Sequence, residues 1–208
     1  MADPVFTTTT SELLQRGDIF AWRRDRVVMP GGRIATRDVV EHYGAVAVVA
    51  LDDDGRVALI YQYRHAVGRR LWELPAGLLD VSGEPAHLAA ARELAEEAGL
   101  QASTWEVLVD LDSSPGFCDE SVRVYLATGL TTVERPAPDD NEEADLTMSW
   151  FPLEEAARMA FTGEIVNAIA VGGILAAALH DRGFAEPRAF DAEWVDRPTA
   201  FAALQDKA

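Results

Sequence analysis

The sequence predicts an α+β fold: an α/β/α sandwich on a mixed sheet, with a small antiparallel β extension on its N-terminal side. Three observations carry this. Apolar runs of strand length recur between turn signals, among them YGAVAVVAL at 43–51 and RVALIYQY at 56–63. A helix pattern interrupts them at 85–98 and two more close the series, an order that puts helices on both sides of a sheet. The length of 208 residues, 49% of them apolar and 25% charged, suits one ordinary globular domain with an extension.

Taken in order, residues 1–17 are polar, with threonines from Thr7 to Thr10, and give a strand-like or disordered lead. Asp18 to Met29 is rich in β-branched and aromatic residues and reads as a strand; Pro30-Gly31-Gly32 turns it, and Arg33 to Glu41 returns. Tyr43 to Leu51 is apolar enough to be buried on both faces. The turn Asp52-Asp53-Asp54-Gly55 makes Arg56 to Tyr63 its hairpin partner. Leu71 to Leu74 is a short strand leading into a Pro/Gly loop. Trp105–Leu111, Val122–Leu130 and Leu146–Phe151 are further strands. A connection from Asp112 to Glu120, turning at Pro115-Gly116, joins the first two, and the acidic, Pro-rich ERPAPDDNEEAD at 134–145 precedes the last. Pro152 opens a helix over Leu153–Phe161, and a second covers Glu164–His180. The expected organisation is an N-terminal β extension over 1–41, a catalytic domain over 42–181 and an irregular tail over 182–208.

The formal charge is −17, from 18 basic and 35 acidic residues, with no basic run, which argues against nucleic-acid or anionic-membrane partners. Cys118 is the single cysteine, so no disulfide forms within the chain. With no basic-then-apolar start either, the expected location is cytoplasmic. The apolar run Ile165–Leu179 is broken by Asn167 and Gly172-Gly173 and is shorter than a membrane span of about 20 residues.

The chemistry concentrates in LPAGLLDVSGEPAHLAAARELAEEAGL, residues 74–100. Pro85 suits a first helical turn and Gly99 a left-handed stop. At roughly 100° per residue, Glu93, Glu96 and Glu97 share about 100° of arc, with Leu88, Ala91, Leu94, Ala95 and Ala98 expected on the opposite, buried side. Like charges so spaced repel by a few tenths of a kcal/mol per pair, and a solvated acidic face is the ordinary fate of such a cluster. The fixed loop ahead of the helix points instead to a hard cation, which takes carboxylate and carbonyl oxygens and completes its shell with substrate phosphates.

This stretch resembles the Nudix box, G-x5-E-x7-R-E-U-x-E-E-x-G-U with U aliphatic. Arg92-Glu93-Leu94-Ala95-Glu96-Glu97-Ala98-Gly99-Leu100 matches its second half throughout, whereas six residues rather than five separate Gly77 from Glu84. The resemblance covers about residues 40–181 and implies a Nudix-type sandwich that hydrolyses a nucleoside diphosphate joined to a second moiety, with Mg²⁺ or Mn²⁺ as cofactor. By motif position it implies Glu93 and Glu97 as main metal ligands, Glu96 as an additional one, the Ala76 carbonyl completing the site, and Arg92 orienting the carboxylates.

Within the superfamily the chain is most similar to the ADP-ribose pyrophosphatase branch. Pro115 lies 16 residues beyond Gly99, Gln62-Tyr63-Arg64 resembles that branch's QxR segment, and Glu120 follows Pro115-Gly116 by four residues. The resemblance implies ADP-ribose cleaved to AMP and ribose 5-phosphate. Arg64 is expected at a phosphate or the terminal ribose, Arg37 at a phosphate and Glu120 on ribose hydroxyls. Phe20 and Trp22 are candidates to stack adenine, or else core or dimer contacts. The general base is expected in the post-box loop, at Glu142 or its neighbour Glu143. A homodimer is expected, both because the 165–179 helix is apolar nearly all round and because this branch completes its sites with a swapped N-terminal segment. The alternatives are a hydrolase of another nucleoside diphosphate sugar and a non-catalytic ADP-ribose-sensing module, which would be expected to lose box glutamates.

Overall fold

The computed structural model describes residues 5–135 and 146–205. Contacts divide the chain into two compact units, one of Ala45–Leu111 and Val122–Val195, the other of Met1–Gly44, Asp112–Ser121 and Asp196–Ala208.

The larger unit is organised on β4 (Ala45–Ala50). β9 (Ser121–Thr132) runs parallel on one edge, and β7 (Ala76–Leu78) antiparallel on the other. β8 (Leu100–Asp112) and the two-residue β11 (Arg188–Ala189) extend the sheet to the order β11-β8-β9-β4-β7. Successive β4 side chains point to opposite faces. Val46, Val48 and Ala50 enter a core with Ala90, Leu94 and Ala98 of α1 (Ala86–Ala98). Ala47 and Val49 enter a second core with α2 (Leu153–Thr162) and α3 (Ala168–Asp181). Val46, Val48 and Val49 are fully buried, each contributing ~1.5–3 kcal/mol of transfer free energy. The sandwich and mixed sheet expected from the sequence are present.

A second sheet, antiparallel, has the order β10 (Thr147–Pro152), β5 (Arg56–Arg64), β6 (Arg69–Glu73). Here one expectation is corrected. The Asp52–Gly55 turn forms, with the Gly55 N–H donating to the Asp52 carbonyl at 3.0 Å, but β5 is not the partner of β4. A single bridge, Leu51↔Val57, follows the turn. β9 and β7 already occupy both edges of β4, so β5 pairs with β10 and β6 instead.

The helix ends follow local chemistry. α1 stops at Gly99, whose φ of 66° lets its N–H reach the Ala95 and Leu94 carbonyls. α3 begins at Ala168 rather than Glu164, because the Asn167 side chain caps it by accepting the Ala170 N–H at 2.9 Å. Among the described residues no helix is long and apolar enough to cross a membrane.

The smaller unit is an antiparallel sheet, β1 (Thr7–Arg16), β2 (Phe20–Val28) and β3 (Ile34–His42), in that order. The threonine run is thus a strand, as β-branched side chains on an edge favour. The described core of this unit is small. It comprises Ala21, Tyr43 and Phe201, with the last two rings edge-to-face at 4.6 Å. Phe201 precedes α4 (Ala202–Gln205), so the tail expected to be irregular carries two short elements, β11 and α4.

Candidate active site

The glutamate cluster belongs to α1 and the loop around β7. The sequence places the three glutamates opposite the buried face, and the structure corrects this. The buried residues are Ala89, Ala90, Leu94, Glu97 and Ala98, whereas Leu88 is 49% exposed. Glu97 therefore lies inside the buried arc, as does Glu93, which stands against Gly77 of β7, and Glu96 lies at its edge. The Ala76 N–H donates to Glu97 Oε2 at 2.8 Å. Gly77 is required by contact rather than by a left-handed backbone, since a Cβ there would overlap the Glu93 carboxylate.

Arg92 ties the cluster together. Its Nη1 is 2.6 Å from Glu93 Oε1 and 3.1 Å from Glu96 Oε2, and its Nη2 is 3.3 Å from Glu84 Oε2. Burial works against this charge, but Glu84 and Glu93 outweigh it and hold the guanidinium pKa above its ordinary value. Ahead of Glu84 the chain turns at Gly83, with φ of 75°, and the Glu84 N–H returns to the Val81 carbonyl at 3.1 Å. Glu84 still reaches Arg92.

Ala76, Gly77, Glu93, Glu96 and Glu97 line one cavity of about 480 Å³, together with Gln62 and Arg64. Among the described residues no three His, Cys, Asp or Glu side chains converge closely enough to enclose an ion by themselves. The reason is visible in the pairing: Arg92 engages Glu84, Glu93 and Glu96, and Glu97 faces the Ala76 amide. An open wall of hard oxygen donors fits a cation such as Mg²⁺ or Mn²⁺, which takes part of its shell from substrate and water.

Of the sequence-predicted residues, Ala76, Glu93, Glu96, Glu97 and Arg64 share that cavity. Phe20, Arg37 and Glu120 belong to the smaller unit. There Phe20 pairs with His42 across β2 and β3, and His42 Nδ1 stands 3.4 Å from Glu120 Oε1. Arg37 is exposed, its Nη1 donating to the Thr36 carbonyl at 2.9 Å. Glu142 and Glu143 lie outside the described residues. Sequence reasoning misses Glu73. It ends β6, is 3% exposed, and receives Arg64 Nη2 at 2.7 Å and Gln62 Nε2 at 3.2 Å. The pairing Ile60↔Glu73 sets Glu73 on the face shared by residues 60, 62 and 64, a register invisible without knowing that β5 and β6 pair.

The box geometry has a counterpart in known proteins: the NUDIX domain model matches residues 41–169. The chain belongs to the NUDIX family. Over 203 residues, 98% of each chain, it is 66% identical to the ADP-ribose pyrophosphatase of Mycobacterium tuberculosis. It is 34% identical over 161 residues to the Bacillus subtilis ADP-ribose pyrophosphatase, covering 77% of this chain and 86% of that one. A crystal structure of an ADP compounds hydrolase superposes with a TM-score of 0.72 at 20% identity, covering 86% of this chain and 97% of that one, a likeness of fold. The NUDIX match thus spans β4 through the start of α3, including every residue of the glutamate wall.

Proposed function

We propose that this NUDIX chain hydrolyses the diphosphate bond of ADP-ribose, giving AMP and ribose 5-phosphate, with Mg²⁺ or Mn²⁺ as cofactor. The observation that carries this is one cavity in which Glu93, Glu96, Glu97 and Ala76 face the same space as Arg64. The names of the two relatives described above support ADP-ribose as the substrate. In the reaction a water oxygen forms a bond to one phosphorus, and the bond from that phosphorus to the bridging oxygen breaks.

Glu93, Glu97 and Glu96 are the residues to hold the metal, with the Ala76 carbonyl. A bound divalent cation neutralises the diphosphate and lowers the pKa of the attacking water. Arg92 keeps Glu93 and Glu96 oriented, and Arg64 supplies positive charge for a phosphate. Carboxylates that hold a cation are poor proton acceptors, so the general base is assigned to Glu142, or to Glu143 beside it. On sequence position alone, Arg37, Glu120 and Phe20 are assigned to substrate and the chain to a homodimer.

The test is a panel of ADP-ribose, other nucleoside diphosphate sugars and nucleoside triphosphates, with Mg²⁺, Mn²⁺ or chelator, and products identified by mass. AMP and ribose 5-phosphate, formed only with metal and fastest from ADP-ribose, are expected. Preferred cleavage of another nucleoside diphosphate sugar overturns the substrate, and tight ADP-ribose binding without cleavage overturns the enzyme.

A further inference from the structure

We infer that Glu73 is a positioning residue that holds Arg64 for the diphosphate, an inference resting on the function proposed for this cavity. Three donors converge on its carboxylate. Arg64 Nε lies 3.1 Å from Oε1, Arg64 Nη2 lies 2.7 Å from Oε2, and Gln62 Nε2 lies 3.2 Å from Oε2. Two guanidinium nitrogens on one carboxylate fix the plane of the guanidinium as well as its position, which a lysine cannot reproduce.

The burial of the pair is asymmetric. A buried carboxylate needs compensation by charge and hydrogen bonds, and Arg64 supplies both without being buried itself. Here the Glu73 side chain is 4% exposed and that of Arg64 44%, and Arg64 lines the glutamate cavity. The anion is anchored inside, and the cation faces the space where a diphosphate is to sit.

Glu73 also ties Arg64 to the backbone that carries the box loop. Two residues further on, the Pro75 carbonyl accepts the Val48 N–H at 2.8 Å. The next residue, Ala76, donates its N–H to Glu97 at 2.8 Å. Residues 73–76 are thus pinned to Arg64, to β4 and to α1, so the arginine and the glutamate wall are set against one short, rigid segment. Displacing Glu73 would change the separation between them.

The experiment compares wild type, Glu73→Gln, Arg64→Lys, Arg64→Ala and the Glu73→Gln/Arg64→Ala double variant. Each is measured for ADP-ribose kcat and KM, and for binding of inorganic pyrophosphate by calorimetry with Mn²⁺ present. Glu73→Gln is expected to raise KM and the pyrophosphate Kd by about tenfold, the low end for a residue acting through another, with kcat and Mn²⁺ affinity little changed. The double variant is expected to be no worse than Arg64→Ala, because the second change acts through a side chain already removed. Arg64→Lys, at a side chain 44% exposed, is expected to bind pyrophosphate nearly as weakly as Arg64→Ala. Additive losses in the double variant, wild-type binding by Arg64→Lys, or no pyrophosphate binding by wild type would each overturn the inference. A wild type that leaves ADP-ribose intact but binds pyrophosphate in a Glu73-dependent way would sink the proposed reaction and keep Glu73 in its role. Normal hydrolysis by Glu73→Gln would do the reverse.

Discussion

The two compact units bury their residues in different ways. In the larger, every residue from Val46 to Ala50 is buried, and two separate cores pack the opposite faces of β4. In the smaller, Ala21, Tyr43 and Phe201 make the described core, and β2 leaves Phe20 and Trp22 42% and 40% exposed. A unit built on a doubly packed strand is stiff, and it carries the side chains that must be held still: carboxylates of α1 and β6 fixed by Arg92, Arg64 and one backbone amide. A thinly packed sheet with exposed aromatics suits contacts made with something else, substrate or a second copy of the chain. Substitutions in the glutamate wall of the larger unit should therefore act on turnover, and those in the smaller unit on affinity.

The largest effect is expected from Glu93→Gln and Glu97→Gln, each of which should bring metal-dependent turnover close to background. The amide keeps the shape and removes the charge a hard cation requires. For Glu97 the amide oxygen can still accept the Ala76 N–H, so the melting temperature should stay within a few degrees of wild type. Either variant retaining near-normal kcat at saturating Mg²⁺ would remove the metal assignment and, with it, the contrast between the units.

Glu142→Gln comes next. Loss of a general base should lower kcat by about 10²–10⁴ with ADP-ribose affinity little changed. Stopped-flow rates for Glu142→Gln and Glu143→Gln decide the register. A defect confined to Glu143→Gln keeps the loop and changes the residue, and normal rates in both place the base elsewhere.

The contrast also explains what is legible in the sequence. Where burial is complete, apolar runs and helix-stop signals read through directly: β4, α1 with its Gly99 stop, and α2 after Pro152 all lie near their expected places. The glutamate wall is legible because its spacing is fixed by one helix. Pairing is not, because a strong turn such as Asp52–Gly55 says nothing about edges already taken. The turn alone gives β5 the wrong partner and leaves Glu73 unseen. The face of α1 is misjudged for a related reason. A glutamate counts as polar in any periodicity, yet Glu97 is buried because Ala76 offers it an amide.

A pair of glycines sharpens the comparison at a smaller scale. At Gly77 a Cβ would overlap Glu93, whereas at Gly116, in the smaller unit, it would meet nothing within 4 Å. Gly77→Ala must displace either the β7 backbone or the Glu93 carboxylate, and a displacement near 1 Å costs about 10²-fold in rate. Gly116→Ala should stay within about twofold, as exposed substitutions generally do. Equal kcat values for the two variants would mean that the contact between Gly77 and Glu93 has no part in turnover.

A smaller effect than that of Gly77→Ala is expected at Arg37, where the two units are compared most directly through their arginines. Arg64 and Arg92 are bound to carboxylates, whereas among the described residues Arg37 makes no ion pair, and its guanidinium donates to the neighbouring Thr36 carbonyl. Its cross-strand neighbour is Asp25, whose carboxylate Arg23 engages. On a chain with a formal charge of −17, an arginine left without a carboxylate is available to a phosphate. Because it holds nothing in place, Arg37→Ala should leave the melting temperature unchanged. KM for ADP-ribose should rise by roughly tenfold, equivalent to about 1.4 kcal/mol, with kcat preserved. The control is Arg24→Ala on β2, which breaks an exposed, solvent-screened pair with Asp38 at 2.7 Å and should leave KM alone. If Arg37→Ala and Arg24→Ala behave alike, Arg37 is an ordinary solvated arginine. The smaller unit would then owe any part in affinity to Phe20 or Glu120, and the same KM measurement on those two positions would locate it.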